Sequence, residues 1–315
     1  MTTECSLIIP VYRNAANIPA LLLRLRELHA SVPGGIEVVC VVDGSPDESH
    51  ALLAAALPEQ PYNSQLLLLS RNFGAFAAIR AGLAAARGQF FAVMAADLQE
   101  PVSLTESSFA ALRNEPVDIV VATRESRQDS IGARLASGIF WGAYRRFVQP
   151  ALPKGGIDMF SCNAAFRDHL LRFSESNSSL VGQLIWLGFR QKQIPYHRAA
   201  RLIGESGWTF RRKLTYLFDS AFSFSDLPVR IFLVLGFLGL FVAVSLGLFV
   251  IVTKLTGGIA LPGYTATLLT ILFFSSLNLF GLGVIGSYVW RAYENTKARP
   301  LAVVMHTQDF PSTKS

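Results

Sequence analysis

The segment Phe90–Pro101, FFAVMAADLQEP, constrains the fold most tightly, because an apolar run stops there on an acidic residue. Apolar residues without polar alternation are typical of a central parallel strand that is covered on both faces. Asp97 would then lie at the carboxyl end of this strand, at the edge where open α/β sheets bind ligands. The same acid could instead serve only a strand-to-helix turn, and this segment alone leaves both readings open. Ser103 and Glu106 predict a capped helix that ends near Asn114.

Apolar runs alternate with helical patterns over roughly the first 125 residues. This alternation predicts an α/β fold with a doubly wound, mostly parallel sheet, and polar clusters follow the carboxyl ends of its strands. The predicted strands are Ser6–Tyr12, Glu37–Asp43, Gln65–Leu69, Phe90–Met94, Val117–Thr123, Ile157–Ala165 and Gln193–Leu202. The predicted helices among them are Asn17–Ala30, Ala75–Arg87 and Asn177–Phe189.

Two long apolar segments, Ile231–Val252 and Tyr264–Val289, follow this region. Each is long enough for a transmembrane helix, which needs about 20 apolar residues. Lys254 is the charge between them, whereas Arg and Lys residues flank the pair on both sides, so both termini are expected in the cytoplasm. The segment Trp208–Phe224 has the pattern of an amphipathic helix in the membrane interface. The N-terminus lacks the features of a signal peptide. The sequence thus predicts a two-pass inner (plasma) membrane protein.

Cysteine spacing and net charge exclude several other classes of protein. Cys5, Cys40 and Cys162 are far apart, lie in or beside apolar runs and have no metal-ligand spacing, so they are expected to be reduced core residues. The net charge of +6 comes from basic residues that crowd near the apolar segments. This distribution favours an anionic membrane surface over nucleic acid as the partner.

Four motifs carry a resemblance to a known family: IPVYRN at 9–14, VVDGSPD at 41–47, SRNFGAFAAIRAGL at 70–83 and MAADLQEP at 94–101. Together they resemble inverting family 2 glycosyltransferases with the GT-A fold. The pattern RxxRxxGxSxWTF at 198–210, followed by two apolar segments, is similar to the polyprenyl-phosphate branch, which includes dolichyl-phosphate mannose synthase and the bactoprenol glucosyltransferases. The resemblance implies a cytoplasmic GT-A domain at 1–203, juxtamembrane amphipathic helices at 204–229, a transmembrane hairpin at 230–290 and a cytoplasmic tail at 291–315.

The resemblance implies transfer of a sugar, with inversion, from a nucleotide-diphosphate sugar to polyprenyl (undecaprenyl) phosphate for cell-envelope glycans. UDP-glucose is preferred by analogy with the bactoprenol enzymes. In the family a DxDLQ motif holds Mg²⁺ or Mn²⁺, which here leaves Asp97 and Gln99, with Ala95 in place of the first acid. Diphosphate oxygens and water could complete the metal shell. Alternatively, the site no longer turns over and the protein is a nucleotide-binding relative.

The resemblance also implies which residues contact the donor and the acceptor. A polyprenyl phosphate is already an anionic nucleophile, so positioning and charge neutralisation can carry the reaction without a carboxylate base. Each basic residue could instead contact lipid headgroups, and the 71–72 loop could be purely structural. The implied catalytic and acceptor residues are Asp97, Arg124, Ser161, Arg201 and Lys213. The implied donor residues are Pro10, Tyr12, Asn14, Asp43, Arg71, Asn72, Ala96 and Asp97.

Other functions remain open at this stage. One is a glycosyltransferase that extends a lipid-linked saccharide, and another is a non-catalytic membrane relative that binds nucleotide. A dinucleotide-dependent oxidoreductase is disfavoured because no GxGxxG follows the first strand. The aromatic pattern around Trp141 and the glycines of the second apolar segment permit a homo-oligomer such as a tetramer.

Overall fold

The computed structural model describes residues 3–124, 152–153, 156–175, 178–197, 227–256 and 263–312. Several predicted features lie outside these residues: the helix around Trp141, the amphipathic segment Trp208–Phe224, and the site residues Arg201 and Lys213.

The described part of the chain forms one mixed sheet of eight strands, which confirms the α/β class. The central neighbours in the order β3-β2-β1-β4 are all parallel. Strand β6 is antiparallel to β4 and β5, whereas β5 and β7 are parallel to each other. The strands are β1 (Cys5–Val11), β2 (Ile36–Val42), β3 (Ser64–Leu69), β4 (Phe90–Val93), β5 (Ile119–Arg124), β6 (Met159–Asn163), β7 (Gln191–Tyr196) and β8 (Val304–Phe310), in the order β7-β5-β6-β4-β1-β2-β3-β8.

Helices cover both faces of the sheet, as the continuous apolar strands require. Within β1, Leu7 and Ile9 pack into one core layer while Ile8 packs into the other, because successive side chains point to opposite faces. Helices α1 (Ile18–Ser31), α2 (Ser49–Ala56) and α4 (Val102–Asn114) contribute to the first layer. Helices α3 (Ala75–Ala85), α5 (Ala164–Leu171) and α6 (Leu180–Trp186) contribute to the second.

The three cysteines are buried and unpaired, as predicted. Burial raises the pKa of the Cys40 thiol to about 12, which keeps it protonated and unreactive near neutral pH. These residues therefore serve packing.

The start of α4 differs from the prediction. The helix begins at Val102, and Pro101 is its N-cap in an extended conformation without a side-chain cap bond. The backbone N–H of Leu104 donates to the carbonyl of Pro101 at 3.1 Å. The predicted cap at Ser103 is therefore wrong, because the extended Pro101 already ends the preceding loop and leaves Ser103 inside the helix.

Two long helices, α7 (Leu227–Leu255) and α8 (Tyr264–Thr296), follow the α/β domain. They contact each other where the ring centroids of Phe232 and Phe280 lie 6.4 Å apart. A Cβ atom on Gly281 would lie 2.0 Å from the Phe232 ring, so only glycine permits this approach. Among the described residues one stretch, Phe273–Thr296, is long and apolar enough to cross a membrane. Two transmembrane helices are thus not confirmed, and the second span stays a prediction.

The segment after α8 returns to the sheet. In the domain division predicted from the sequence, this segment belongs to the tail at 291–315. Strand β8 pairs antiparallel with β3, and Ser70 N–H donates to the Val303 carbonyl at 3.0 Å. Arg87 and Asp309 form an ion pair at 2.9 Å beside this ladder. The sequence VMHTQDF has no apolar run to reveal a strand, because as an edge strand β8 buries little of its surface.

Candidate active site

The loops after β1 and β2 meet at the carboxyl edge of the sheet. The backbone N–H of Arg13 donates to Ser45 Oγ at 2.8 Å, and that of Ala15 donates to Asp47 Oδ2 at 3.0 Å. Burial raises the pKa of Asp47, but hydrogen bonds from Ser45, Ser49 and the backbone outweigh it and lower the pKa below its ordinary value. Asp47 is therefore an ionised acceptor that joins the two loops.

Asp43 fastens a third loop to this edge. Its side chain is 2% exposed, and its two carboxylate oxygens accept from the backbone N–H groups of Phe73 at 2.7 Å and Gly74 at 2.8 Å. Gly44, with a φ of +54°, lets the loop approach, since a Cβ there would lie 2.3 Å from the carbonyl carbon of Arg71. The structure thus shows Asp43 holding the 70–74 loop, and its contact with a nucleotide base stays a prediction.

The other predicted donor residues lie at the same edge and contact their own loops. Tyr12 is 38% exposed, and Asn14 Nδ2 donates to its carbonyl at 2.9 Å. Arg71 and Asn72 are exposed, and the Arg71 guanidinium lies 4.0 Å from the centroid of the Phe73 ring. Pro10 is half-buried within β1. The structure therefore brings these residues together around an open edge.

The loop after β4 carries the predicted metal ligands. The backbone N–H of Gln99 donates to Asp97 Oδ1 at 3.4 Å across Leu98, whose φ is +61°. Ala96 is buried at 2% exposure, whereas Ala95 is half-buried. The acid that the family motif has at position 95 would therefore lie next to Asp97 in the same loop.

The donor set at this loop fits a hard divalent cation when a ligand completes it. The Asp97 carboxylate and the Gln99 amide are the oxygen donors that Mg²⁺ and Mn²⁺ prefer. Among the described residues no group of three or more His, Cys, Asp or Glu could hold a metal ion alone. Mg²⁺ usually keeps several waters and binds through one or two carboxylates plus substrate phosphates, so the diphosphate would have to supply the remaining ligands.

Glu100 is a buried acid that the sequence analysis did not select. It is 2% exposed, and neither carboxylate oxygen has a side-chain hydrogen-bond partner within the described ranges. It lines a small cavity with Thr105, Ser108 and Ser161. Burial, and then the negative charge of Asp97, raise the pKa of Glu100 to about 7. The sequence feature that could have pointed to Glu100 is its place in the same DLQE run as Asp97, directly before Pro101, the N-cap of α4.

A second polar cluster lies where β5, β6 and β7 meet. Arg124 forms an ion pair with Asp158, and the Tyr196 hydroxyl donates to the same carboxylate at 2.9 Å. Burial lowers the pKa of Arg124, but the bond to Asp158 outweighs it and raises the pKa. Burial and then Asp158 raise the pKa of Tyr196. Arg124 is thus held as a cation whose charge is balanced by an acid that the sequence analysis missed.

The register of the sheet explains this cluster and the place of Ser161. Arg124 and Tyr196 are direct partners in the β5–β7 ladder, and Asp158 lies just before β6. Ser161 pairs with Ala92 and Val120 inside the sheet and is 4% exposed. Ser161 lines the same small cavity as Glu100, and its contact with an acceptor phosphate stays a prediction.

The chain is similar to known glycosyltransferases over nearly its whole length. An uncharacterized glycosyltransferase of Synechocystis sp. is 32% identical over 96% of this chain and 95% of its own. The undecaprenyl-phosphate 4-deoxy-4-formamido-L-arabinose transferase of Salmonella choleraesuis is 29% identical over 99% of this chain and 96% of its own. The crystal structure of glucosyl-3-phosphoglycerate synthase from Mycobacterium tuberculosis shares 17% identity and a TM-score of 0.48 over 70% of this chain and 80% of that chain.

The match to a protein family covers the sheet edge described above. Residues 6–173 match the family described as glycosyl transferase family 2. This range includes Asp43, Asp97 and Arg124. The chain therefore belongs to glycosyl transferase family 2 and is a glycosyltransferase.

Proposed function

We propose that this protein transfers a sugar from a nucleotide-diphosphate sugar to undecaprenyl phosphate, with UDP-glucose as the preferred donor. The observation that carries the proposal is the full-length similarity to an undecaprenyl-phosphate transferase, which extends through α7, α8 and β8. A lipid acceptor explains why a glycosyltransferase domain is joined to a long apolar helix. The product is a polyprenyl-phosphate sugar for cell-envelope glycan synthesis or modification.

In the proposed reaction an oxygen of the lipid phosphate attacks the anomeric carbon of the donor sugar. The bond from that carbon to the diphosphate oxygen breaks, the nucleoside diphosphate leaves with the electron pair, and the anomeric configuration inverts. Asp97 and Gln99 would hold Mg²⁺ or Mn²⁺, and the bound ion would supply positive charge to neutralise the departing diphosphate. The loops fastened by Asp43 and Asp47 support the nucleotide.

Arg124 has the chemistry to meet the acceptor phosphate. A guanidinium matches phosphate geometry with paired hydrogen bonds. The ion pair with Asp158 engages the Nε atom of Arg124, and the side chain remains 24% exposed. The acceptor phosphate would bind at the cluster of Arg124, Asp158 and Tyr196. Arg201, Lys213 and Ser161 complete the proposed acceptor set.

The helices α7 and α8 place the domain at the membrane in this proposal. The chain crosses the inner membrane twice, and the catalytic domain and both termini face the cytoplasm, where nucleotide sugars are made. The fit between Gly281 and Phe232 supports an antiparallel pair of helices. A homo-oligomer, such as a tetramer, would be consistent with further glycines exposed on α8.

Ala95 supports a second candidate function. Without the first acid of the motif, the site could bind nucleotide without turnover, and the protein would then act as a membrane scaffold. A transferase that extends a lipid-linked saccharide is an alternative within the same family. Both alternatives use the same donor edge and differ in what meets Arg124.

The test is sugar transfer to undecaprenyl phosphate by the purified full chain, with a panel of radiolabelled nucleotide sugars in Mg²⁺, Mn²⁺ or EDTA. We expect metal-dependent transfer, lowered about 100-fold or more in Asp97→Ala because charge stabilisation at the leaving group is lost. Asp309→Ala is the control, since Asp309 is an exposed acid in the β8 ion pair. Saturable nucleotide binding without transfer would favour the scaffold. Faster transfer to a lipid-linked saccharide would favour the extending enzyme.

A further inference from the structure

The turn that carries Asp97 has a backbone conformation that a leucine disfavours. Leu98 has a φ of +61°, in the left-handed region. For a residue with a Cβ atom this conformation is disfavoured, because the Cβ atom comes too close to the backbone carbonyl oxygen. Such conformations persist only where the surrounding structure imposes them. Contacts from outside the turn must therefore hold it.

Arg24, on helix α1, supplies two of these contacts, in addition to the packing of Leu98 against the first core layer. Its Nη1 atom donates one hydrogen bond to the carbonyl of Leu98 at 3.0 Å and another to the carbonyl of Glu100 at 2.9 Å. The two carbonyls lie on either side of Gln99. One side chain thus spans the turn from outside and is fixed to a helix that packs into the core.

A single peptide plane connects Arg24 to the carboxylate of Asp97. The carbonyl of Leu98 and the N–H of Gln99 belong to one planar peptide unit, so fixing the carbonyl also orients the N–H. That N–H donates to Asp97 Oδ1 at 3.4 Å. The hydrogen bonds from Arg24 are charge-assisted and stronger than neutral ones. The orientation of the proposed metal ligand therefore depends on a residue that does not bind the metal.

We propose that Arg24 is a positioning residue, which sets the 97–100 turn so that Asp97 and Gln99 face the metal and the donor diphosphate. This inference rests on the proposed function, because it takes Asp97 as the residue that meets the metal-bound donor. It extends that function by assigning a part of the site to α1, outside every motif that the sequence analysis selected.

The chain offers a matched control two residues further along the same helix. Arg26 Nε donates to Gln60 Oε1 at 2.8 Å rather than to the Asp97 turn, so Arg26→Gln removes an arginine hydrogen bond of similar type elsewhere. The test compares Arg24→Gln, Arg24→Lys and Arg26→Gln in the full chain. Amide hydrogen exchange of the 94–101 peptide reports the turn, and Mn²⁺-dependent UDP binding and transfer kinetics report the site.

We expect Arg24→Gln to speed exchange at 94–101 and to weaken Mn²⁺-dependent UDP binding about 10- to 100-fold, the usual range for residues that orient metal ligands. Arg24→Lys keeps the charge on a single donor nitrogen but loses the planar guanidinium, so its effect should lie between those of Arg24→Gln and wild type. Arg26→Gln should change neither readout. Equal exchange at 94–101 in Arg24→Gln and Arg26→Gln would overturn the inference.

The same experiment separates this inference from the proposed function. If the wild type binds UDP with Mn²⁺ but transfers nothing to undecaprenyl phosphate, the acceptor is wrong, and the comparison of UDP binding still decides the role of Arg24. If no nucleotide sugar or UDP binds, the donor assignment fails and the positioning role toward it is overturned as well. The exchange result then reports only a structural contact.

Discussion

The candidate active-site edge of the sheet has two halves, one on the β1–β2 side and one on the β4–β5 side. They differ in the hydrogen bonds that their acidic side chains receive. On the β1–β2 side, Asp43 and Asp47 accept hydrogen bonds from backbone N–H groups or hydroxyls of neighbouring loops. On the β4–β5 side, Glu100 is buried without a side-chain partner among the described residues, and Asp158 is shared by Arg124 and Tyr196. The first half is complete as it stands, whereas the second half retains polar groups that a ligand could engage.

In the proposed reaction the two halves would meet different substrates. The nucleotide would bind to loops that hold one shape before it arrives, because preorganised groups cost little to order on binding. The donor sugar and the acceptor phosphate would change charge during the proposed transfer, so we expect groups around them that respond to charge. A buried acid with a raised pKa and an arginine held beside an acid have that property.

The largest expected effect on folding comes from the complete half. Asp43→Ala removes the acceptors of the Phe73 and Gly74 N–H groups, and a hydrogen bond to a charged group contributes about 1.5–3 kcal/mol. We expect a loss of about 3 kcal/mol in the free energy of unfolding, measured by denaturant titration in detergent. Asp47→Ala is the comparison, and it should cost less because Asp47 is only half-buried. Equal losses in the free energy of unfolding would mean that the hydrogen bonds of Asp43 stabilise the fold no more than those of Asp47.

The complete half was also the easier one to predict. The strands β1 and β2 were found to within one residue at each end, because buried parallel strands leave continuous apolar runs. The acid at the end of β2 was therefore placed correctly. Its actual bonds to the backbone at 73–74 were not predicted, since they depend on how a loop some 30 residues later folds back.

The second expected effect tests the unsatisfied half through pH. The pKa of Glu100 is raised from its ordinary 4.5 to about 7, so between these values the folded chain holds a proton that the unfolded chain releases. Stability should therefore fall as pH rises from 4.5 to 7. Glu100→Gln removes this slope and should stabilise the protein at pH 8 by up to about 3 kcal/mol, because one pKa unit is worth about 1.4 kcal/mol.

Unfolding titrations in detergent between pH 5 and pH 8 measure this slope, with Glu106→Gln as a control for removing an acid from the adjoining helix. A slope that survives in Glu100→Gln would show that another group titrates there. A loss of stability at pH 8 in this variant would show that the carboxylate has a favourable partner in the folded chain, and the contrast between the halves would then weaken.

The second half illustrates what the sequence could not reveal. Glu100, Asp158 and Tyr196 come from distant segments. The parallel β5–β7 ladder pairs Tyr196 with Arg124, and the antiparallel insertion of β6 between β4 and β5 brings Asp158 beside them. Tyr196 closes the β7 segment, which has no acid or glycine motif to mark it. Arg24 lies on the amphipathic helix α1, where an arginine is expected on the solvent-facing side and nothing in the sequence indicates a role at the site. Residues that act through register or through a backbone carbonyl leave no local pattern.

The smallest expected effect concerns β8, the edge strand that pairs with β3 on the same side of the sheet as the complete half. Arg87 and Asp309 form an ion pair whose side chains are 63% and 54% exposed. Exposed pairs contribute about 0.2–1 kcal/mol, because water and salt screen the charges. Arg87→Ala should therefore lower the free energy of unfolding by less than about 1 kcal/mol, and hydrogen exchange across β3 should stay near the wild-type rate. The backbone ladder between β3 and β8 holds the strand in place, so the pair adds little. A loss above about 2 kcal/mol, or rapid exchange at Ser64–Leu69, would mean that this side of the complete half depends on a single surface contact.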